Sequence, residues 1–408
     1  MAIRERSLST AAYVSGGTTL VQLPRDAVYH SLQLSIMGGS FSTVQGTAGT
    51  GPILVPGFPW TLMRSIRVIR NGSDVVFQAS GEQLAKESFY LNTQHPFARL
   101  YTSAANVETL ITSSTRGVTI PANAEGIGAN GGGFKAPDAP VGTGVLNFDA
   151  QVDLMFQLGV EDGYYSTLVD ARSLSSYDLE IVWAAESAQI ATAGTANTSN
   201  AAAFNLQVLS LDQDNLDVEN SFGTFKRSTN QISSYAYGSS NNQLQLPRGN
   251  FFYGIQVGTK AYKAGSATVA IAENNVIDGL LNRINTNFTL RNTTYRQLQH
   301  KNMSDYGGRS QAFVTAQGGP QGYAQLGFTS AGNKMSEMIP TFAMDMFDLQ
   351  ISLQAQAAAT NGATSNNTNG VIELLYEEVI PGVSVGDSSP RGASSGSIGR
   401  VSAKPYSR

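Results

Sequence analysis

A short acidic segment carries the side chains best suited to bind a metal ion, and its members are Asp212, Asp214, Asp217 and Glu219. Carboxylates at this density are able to bind Ca²⁺, which takes roughly six to eight oxygen ligands. The spacing departs from the EF-hand loop, because Leu216 stands where a ligand is needed and no glycine follows it. The spacing therefore favours a solvated acidic loop, with a calcium site at these four residues as the alternative.

No set of residues for catalysis stands out. The chain has no cysteine and three histidines, His30, His95 and His300. Catalysis needs a nucleophile, a base and a group that stabilises charge to converge, and the sequence gives none of the histidines such neighbours. The chain also lacks a Gly-x-Ser-x-Gly elbow, a phosphate-binding loop and a dinucleotide fingerprint. We predict that the protein is not an enzyme, with Ca²⁺ as the only candidate cofactor.

Length and composition favour two globular domains with covered surfaces. The 408 residues suit two domains of about 200 residues each. Charged residues make up 14% of the chain, against roughly 25% in typical soluble domains. A net charge of −4 gives no basic field to hold nucleic acid. Because surface charge keeps proteins apart in solution, we expect partners to cover much of this surface.

Strict alternation of apolar and polar residues is the main local pattern. It occurs at residues 152–158, 177–183 and 347–353. This period of two places all the apolar side chains on one face of a β-strand. The opposite face is mostly polar, which is typical of antiparallel sheets. The pattern predicts an all-β chain with long polar loops.

The sequence repeats itself. Val-Gln-Leu-Pro-Arg at residues 21–25 recurs as Leu-Gln-Leu-Pro-Arg at 244–248. Leu-Gln-Leu at 32–34 recurs, at the same offset of 223 residues, as Ile-Gln-Val at 255–257. Repeats of this kind indicate that one fold occurs twice.

Two helix starts form a second match. Ser80 is followed three residues later by Gln83, and Thr294 is followed by Gln297 at the same spacing. This is the pattern of a capping box, in which each side chain bonds to the backbone of the other residue. A short helix is therefore expected in the middle of each half.

A third match pairs residues 179–183 with residues 372–376, both of which alternate around acidic side chains. The three matches occur in the same order in each half. Together they predict a tandem duplication.

The repeat divides the chain into domains. We expect an N-terminal arm at residues 1–14, a first domain at 15–203 that includes a long loop at 102–145, and a second domain at 204–385. Residues 386–408 are rich in Ser and Gly and carry several basic residues, which predicts a flexible basic tail.

The order of these elements resembles the double jelly-roll major capsid proteins of tailless icosahedral viruses, with tectivirus-like and corticovirus-like phages as the nearest comparison. The resemblance is carried by the two Leu-Pro-Arg segments at residues 23–25 and 246–248, by the strand-to-helix passages at 66–91 and 280–300, and by residues 153–183. It covers roughly residues 15–385 as an order of elements.

The resemblance implies two tandem eight-stranded jelly-roll β-sandwiches, each with a short helix. It further implies a homotrimer whose six sandwiches give a pseudo-hexagonal outline and tile an icosahedral virion. The implied partners are other copies of the chain, neighbouring capsomers, and penton or minor capsid proteins. Composition alone favours a basic tail that packs on a neighbouring subunit or stays mobile, with contact to an internal membrane or the genome as the alternative. From length alone, the loops at 102–145 or 303–333 are expected to face outward.

A carbohydrate-binding β-sandwich, or a receptor-binding or minor virion protein, is the main alternative. Sugar sites use exposed aromatic rings beside amides, and the candidates are Tyr235, Tyr237, Tyr253 and Tyr262. A glycosidase on a β scaffold is less favoured, because no carboxylate pair is singled out for the reaction.

Overall fold

Strands dominate the part of the chain that the structure describes. The computed structural model describes residues 3–45, 53–55, 57–90, 97–104, 107–110, 112–113, 120–121, 144–157, 167–192, 197–214, 225–262, 270–272, 276–285, 288–306, 322–329, 337–355 and 369–380.

The first half contains one helix among its strands. They are β1 (Arg4–Ala12), β2 (Thr18–Gln22), β3 (Val28–Gln45), β4 (Ile53–Leu54), β5 (Met63–Arg70), β6 (Asp74–Ala79), α1 (Gly81–Tyr90), β7 (Phe97–Ala104), β8 (Val107–Leu110), β9 (Thr112–Ser113), β10 (Ile120–Pro121), β11 (Gly144–Met155), β12 (Val169–Asp170), β13 (Tyr177–Trp183), β14 (Ile190–Thr192), β15 (Asn197–Ala203) and β16 (Asn205–Gln213).

The second half also contains one helix among its strands. Its elements are β17 (Phe225–Ala236), β18 (Asn242–Gln245), β19 (Phe251–Tyr262), β20 (Ala270–Ala272), β21 (Ile277–Ile284), β22 (Phe288–Thr294), α2 (Tyr295–Tyr306), β23 (Tyr323–Gly327), β24 (Ile339–Pro340), β25 (Phe347–Leu353) and β26 (Asn369–Ile380).

The two halves have the same strand order. In the first half the sheets run β1-β16-β3-β11 and β2-β13-β5-β6. In the second half they run β17-β26-β19-β23 and β18-β25-β21-β22. Within each of these sheets neighbouring strands are antiparallel. The prediction of two tandem eight-stranded sandwiches, each with a short helix, is confirmed.

Each sandwich has its own apolar core. In the first, Trp60, Trp183 and Phe148 are no more than 1% exposed. In the second, Phe252 and Ile351 are fully buried. The alternation predicted for β13 is present, because its apolar residues are buried and the residues between them are half-buried. Burying one such apolar side chain contributes about 1.5–3 kcal/mol, so these cores hold the sheets together.

The repeated Leu-Pro-Arg segments make the same contacts. The guanidinium of Arg25 donates to two successive carbonyl groups, one of them the carbonyl of Leu174 at 2.9 Å. The guanidinium of Arg248 also donates to two successive carbonyl groups, one of them the carbonyl of Met344 at 2.9 Å. These bonds link the segment that leads into β3 or β19 to the turn that precedes β13 or β25.

Two asparagines with left-handed backbone hold the same turns. Asn71 has a φ of 51° and Asn285 a φ of 47°. The Oδ1 of Asn71 accepts the backbone N–H of Ser175 at 2.8 Å, and the Oδ1 of Asn285 accepts the backbone N–H of Asp345 at 2.8 Å. Asparagine suits both positions, because it tolerates this conformation and its amide bonds locally.

Replacing Asn71 by Ala is expected to lower the free energy of unfolding by about 2–3 kcal/mol. The loss comes from the two bonds that Oδ1 of Asn71 accepts from the backbone N–H and the Oγ of Ser175, and from the poorer tolerance of Ala than of Asn for the left-handed backbone. Asn71→Gly is the matched control, because it loses the same bonds but has no Cβ to strain the left-handed backbone, and it should cost about 1 kcal/mol less than Asn71→Ala. Denaturant titration measures both, and equal losses would contradict the strain argument.

Both predicted capping boxes are present. The backbone N–H of Ser80 donates to Oε1 of Gln83 at 3.0 Å, and the backbone N–H of Gln83 donates to Oγ of Ser80 at 3.1 Å. The same two bonds link Thr294 and Gln297, each at 3.2 Å. Each helix therefore begins where the sequence predicted.

The third sequence match paired the wrong strands. Residues 179–183 belong to β13, whose counterpart by strand order is β25, whereas residues 372–376 belong to β26, whose counterpart is β16. Apolar alternation occurs in every half-buried strand, so it cannot identify which strand of one copy corresponds to which strand of the other.

Strand pairing shifts the predicted domain limits. Residues 205–213 form β16, which pairs with β3, so the first sandwich extends past the predicted limit at residue 203. The predicted arm at 1–14 contains β1, which pairs with β16 in the same sheet. The predicted loop at 102–145 holds the short strands β8, β9 and β10. A sequence pattern indicates a strand but not its partner, which is why these limits were misplaced. Residues 381–408, with the predicted tail, lie outside the described residues.

Candidate functional site: the seam between the two sandwiches

Helix α1 belongs to the first sandwich but buries polar side chains against the second. Those side chains are Glu82, Gln83, Lys86 and Glu87, each no more than 2% exposed. Charged side chains are almost never fully buried unless they are paired. Helix α1 and β6 on one side, and β17, β19, β23 and β26 on the other, form a contact that we call the inner seam.

The inner seam joins two sheets edge to edge. Strand β6 pairs in parallel with β17, where Phe77 lies opposite Ser228. Beside this pair, the guanidinium of Arg227 contacts a carboxylate oxygen of Asp74 at 2.8 Å. The two sandwiches therefore share backbone pairing as well as side-chain contacts.

Gln83 links the helix to two strands of the second sandwich. Its side-chain Nε2 donates to Oδ1 of Asn230 at 3.2 Å, and its backbone carbonyl accepts from Nε2 of Gln256 at 3.2 Å. Gln256 is fully buried in the middle of β19. The residue that caps α1 thus also positions the helix on its neighbour.

Two lysines of the inner seam lie near the same carboxylate, that of Glu82. The Nζ of Lys260 lies 3.2 Å from a carboxylate oxygen of Glu82 and 2.9 Å from one of Glu373. The Nζ of Lys86 lies 4.0 Å from the other oxygen of Glu82 and 5.2 Å from the centre of the Tyr323 ring. Lys260 is therefore held between two carboxylates, and Lys86 mainly over an aromatic ring.

The pKa values of these lysines move in opposite directions. Burial lowers the pKa of Lys86 to about 7, with Glu82 acting against this shift and Lys260 adding to it. Burial also opposes the charge of Lys260, but Glu373 and Glu82 beside it hold its pKa above the ordinary value. The inner seam thus contains one cation that its neighbours stabilise, Lys260, and one whose charge burial opposes, Lys86.

A second buried group lies toward the end of α1. The Nζ of Lys226 lies 2.6 Å from a carboxylate oxygen of Glu87. Glu377 accepts a hydrogen bond from Nε2 of Gln325 at 2.5 Å. Burial raises the pKa of Glu377, and the nearby charge of Glu87 raises it further, while Lys226 and Gln325 act in the opposite direction.

Two lysines of the second sandwich pair with carboxylates of α1 across the contact, Lys226 with Glu87 and Lys260 with Glu82. Such buried ionic contacts add little net stability compared with apolar packing, but breaking one is costly. The arrangement can fix the two sandwiches in a single relative register.

The burial of these residues was not predicted from the sequence. Glu82, Lys86 and Glu87 have the polarity of an exposed helix face, and nothing in their spacing indicates burial. The available signal was a comparison of the two helices, since α1 has acidic residues where α2 has Arg296 and Lys301. That difference indicates that the two helices meet different surroundings.

Of the four calcium candidates, the structure describes Asp212 and Asp214. Asp212 is fully buried and accepts from Nε of Arg4 at 2.6 Å and from Nε of Arg6 at 3.1 Å. Asp214 lies beside the same Arg4. Asp217 and Glu219 lie outside the described residues. Within the part of the chain that the structure describes, no group of three or more acidic or histidine side chains could hold a metal. The arginine pairs favour a structural role for Asp212, and calcium binding stays a prediction.

The histidines do not come together. His30 is buried in β3, where its Nδ1 lies 3.4 Å from Oε1 of Gln157 and burial lowers its pKa. His300 is exposed on α2. His95 lies outside the described residues. The absence of catalysis stays a prediction.

The tyrosines considered for sugar binding have different surroundings. Tyr253 is 1% exposed, and Tyr235 and Tyr237 pack on the second core. Tyr262 is half-buried at the end of β19. They form no exposed aromatic platform of the kind that a sugar site requires.

A cavity of about 290 Å³ opens in the second sandwich beside α2. Its polar lining includes Arg291, Lys301, Asn302, Gln325 and Gly327. The cavity adjoins the inner seam at Gln325, whose Nε2 also donates to Glu377. None of the helices in the described residues is long and apolar enough to cross a bilayer.

Known proteins resemble this chain in structure but not in sequence. No family model and no curated protein matches it. A chain from the atomic structure of Sulfolobus Turreted Icosahedral Virus matches with a TM-score of 0.60 and 15% identity, over 93% of this chain and 91% of that one. The crystal structure of the STIV MCP matches with a TM-score of 0.56 and 14% identity, over 93% and 98%. The Faustovirus major capsid protein matches with a TM-score of 0.51 and 7% identity, over 93% and 90%.

At such low identity the likeness concerns the fold. It extends over nearly the whole of each chain, so both sandwiches and their connection are included. The repeated strand order and these matches together show that the chain has the double jelly-roll fold of viral major capsid proteins.

Proposed function

We propose that this chain is a major capsid protein that forms homotrimers and, through them, tiles the shell of an icosahedral virus. The observation that carries the proposal is the presence of two sandwiches with the same strand order in one chain. Three such chains present six similar sandwiches, which is the number needed for a block of nearly hexagonal outline. The fold likeness to viral capsid proteins supports the same function.

The inner seam supports this function because a shell needs building blocks of fixed shape. The buried pairs Lys226–Glu87 and Lys260–Glu82 link the two sandwiches and support one relative register. With only 14% charged residues, the surface can also be covered by neighbours without removing many ions from water, which is costly. The proposed location is the virion, and the proposed partners are other copies, penton proteins and minor capsid proteins.

The mass of the purified protein tests the proposal. We expect a species of three times the chain mass of 43.2 kDa in native mass spectrometry and sedimentation, and larger particles in electron micrographs when expression is strong. A monomer at every concentration would contradict the proposal. Thermal stabilisation by a simple sugar, which follows from mass action on a binding site, would favour the carbohydrate-binding alternative instead.

A further inference from the structure

The two helices occupy equivalent places but have opposite exposure. Glu82, Lys86 and Glu87 on α1 are no more than 2% exposed, because the second sandwich covers them. The residues at the same distance from the capping box on α2 are Arg296, His300 and Lys301, and all three are exposed. The face that α1 buries within the chain is therefore uncovered on α2.

The surface that receives α1 also has an uncovered counterpart. Strands β1 and β17 occupy equivalent places, since β1 pairs with β16 and β17 pairs with β26, the counterpart of β16. In these pairings Arg4 lies opposite Asp212 and Arg227 lies opposite Glu378, which gives an offset of 223 residues between the two strands. By this offset Ser228 corresponds to Glu5. Ser228 is only 1% exposed, whereas Glu5 is exposed to solvent.

The next positions show the same contrast. Lys226 is 6% exposed and its counterpart Ile3 is 42% exposed. Lys260 is half-buried and its counterpart Met37 is 58% exposed. The first sandwich thus carries, uncovered, the surface that the second sandwich uses to bind α1.

The strand edges match this arrangement. Strand β6 lies alongside β17 within the chain. Its counterpart β22 pairs with β21 on one side, and within the described residues its other side has no strand. Strand β1, the counterpart of β17, is likewise the outer strand of its sheet. Each chain therefore has one unused copy of each half of the inner seam.

We propose that β22 and α2 of one copy dock on β1 and β3 of a second copy, and so form an outer seam with the geometry of the inner one. This proposal rests on the proposed capsid function and specifies the contact by which the copies associate. The contact is heterologous, because it joins two different surfaces. Such contacts close into rings when the rotation between subunits allows it.

The helix side of the outer seam carries basic residues, Arg296 and Lys301, where the inner seam carries acidic Glu82 and Glu87. Inside the chain, acidic Glu82 and Glu87 of α1 meet basic Lys260 and Lys226. In the outer seam, the basic residues of α2 and β22 would meet an acidic face that includes Glu5, beside the apolar Ile3 and Met37. The register that places Ser228 opposite Phe77 places their counterparts, Glu5 and Arg291, opposite each other across two copies.

A second carboxylate strengthens the acidic face. Asp153 is half-buried on β11, where it corresponds to Gln325 on β23. One oxygen of Asp153 is buried and makes no hydrogen bond. Burial raises its pKa, and the nearby charge of Glu5 raises it further. A basic neighbour would relieve both effects.

The cavity beside α2 has a matching occupant. In the inner seam, Nζ of Lys226 lies between Glu87 and the carbonyl of Met155, which it contacts at 3.2 Å. The corresponding place in the second sandwich is the cavity of about 290 Å³ that includes Lys301 and Gly327 in its lining. The residue that would enter it from the second copy is Ile3, the counterpart of Lys226.

An apolar side chain can occupy this place without leaving a carbonyl unpaired. In the second sandwich the carbonyl of Gly327 accepts a hydrogen bond from Nη2 of Arg291 at 3.2 Å. Ile3 therefore needs no donor, in contrast to Lys226. The aliphatic part of Lys301 can pack on it while the ammonium group stays in water.

Charge exchange across the outer seam tests the proposal. Glu5→Arg and Arg291→Glu, each alone, place like charges opposite each other and are expected to weaken the wild-type oligomer about tenfold or more. The double variant restores an opposite pair and is expected to recover most of the loss. Asp345→Arg, an exposed acidic residue in the turn before β25, is the matched control and should leave the oligomer unchanged. Circular dichroism verifies that each variant is folded.

Cross-linking gives a second measurement that does not depend on stability. The chain has no cysteine, so Met37→Cys combined with Arg296→Cys introduces the only two thiols. These positions correspond to the inner-seam contact of Lys260 with Glu82, and a short bis-maleimide should join them between copies into a closed trimer. Either single variant should give no closed trimer.

The outcomes separate the two proposals. A wild-type trimer that neither charge variant weakens, and that the thiols do not cross-link, would overturn the outer seam while leaving the capsid function in place. A wild-type protein that is monomeric at every concentration would remove both.

Discussion

Replacing Lys226 by Met is expected to lower the free energy of unfolding by about 3–5 kcal/mol. The ammonium group of Lys226 lies 2.6 Å from Glu87, and the two side chains are 5% and 1% exposed. Without Lys226, Glu87 is a buried carboxylate that has lost its cation and lies near the carboxyl of Glu377. Denaturant unfolding at neutral pH, followed by circular dichroism, measures the loss.

A less buried pair of similar geometry provides the control. Arg67 and Glu180 are 2.7 Å apart but are 35% and 23% exposed, so Arg67→Met should cost less than about 1 kcal/mol. The double variant Lys226→Met with Glu87→Gln should recover much of the loss, because it removes the unpaired charge. Equal losses for Lys226→Met and Arg67→Met would show that burial does not decide the effect.

The same substitution at two lysines of the inner seam should change the free energy of unfolding in opposite directions. Lys86→Met is expected to raise the free energy of unfolding by about 2–5 kcal/mol at pH 6, because burial lowers the pKa of Lys86 to about 7 and its protonation there opposes folding. Lys260→Met is expected to lower it by about 3–5 kcal/mol, because Glu82 and Glu373 lose their shared cation.

The pH dependence distinguishes these two effects. Lys86 binds a proton more weakly in the folded chain than in the unfolded chain, so its penalty is full below pH 7 and disappears as the pH rises to about 10.5. The gain from Lys86→Met should shrink over that window. Lys260 has a raised pKa, so its contribution is full below about 10.5 and the loss from Lys260→Met should persist across the same window.

Unfolding curves for both variants from pH 6 to pH 10 check this prediction. A destabilising effect of Lys86→Met at pH 6 would show that the cation contributes more through Tyr323 and Glu82 than burial costs it. A gain that does not change with pH would indicate improved apolar packing in place of a relieved charge.

The repeat and the helix starts were predictable because they depend on local chemistry. A Ser or Thr followed three residues later by Gln satisfies two backbone N–H groups at once, so Ser80 and Thr294 mark their helices wherever the helices pack. The alternation in β13 and β25 was equally local, since a half-buried strand needs a period of two. The Leu-Pro-Arg segments kept both their sequence and their carbonyl contacts in the two copies.

Strand partners were not predictable from these patterns. The alternation at residues 372–376 suited β13 as a counterpart just as well as β16, and only the pairing with β19 decides between them. Residues 205–213 belong to the first sandwich because they pair with β3, although they follow the predicted boundary. A strand pattern specifies which face is buried, while its partner depends on contacts far apart in the sequence.

The sequence by itself determined that this chain is a duplicated all-β protein with one capped helix in each copy, because alternation and capping are set by neighbouring residues. Only the tertiary structure decided that the polar face of α1 is buried and that of α2 exposed. Similar polar residues acquire these different environments because α1 has a second sandwich beside it in the same chain, and a charge can be buried only where another element supplies its partner.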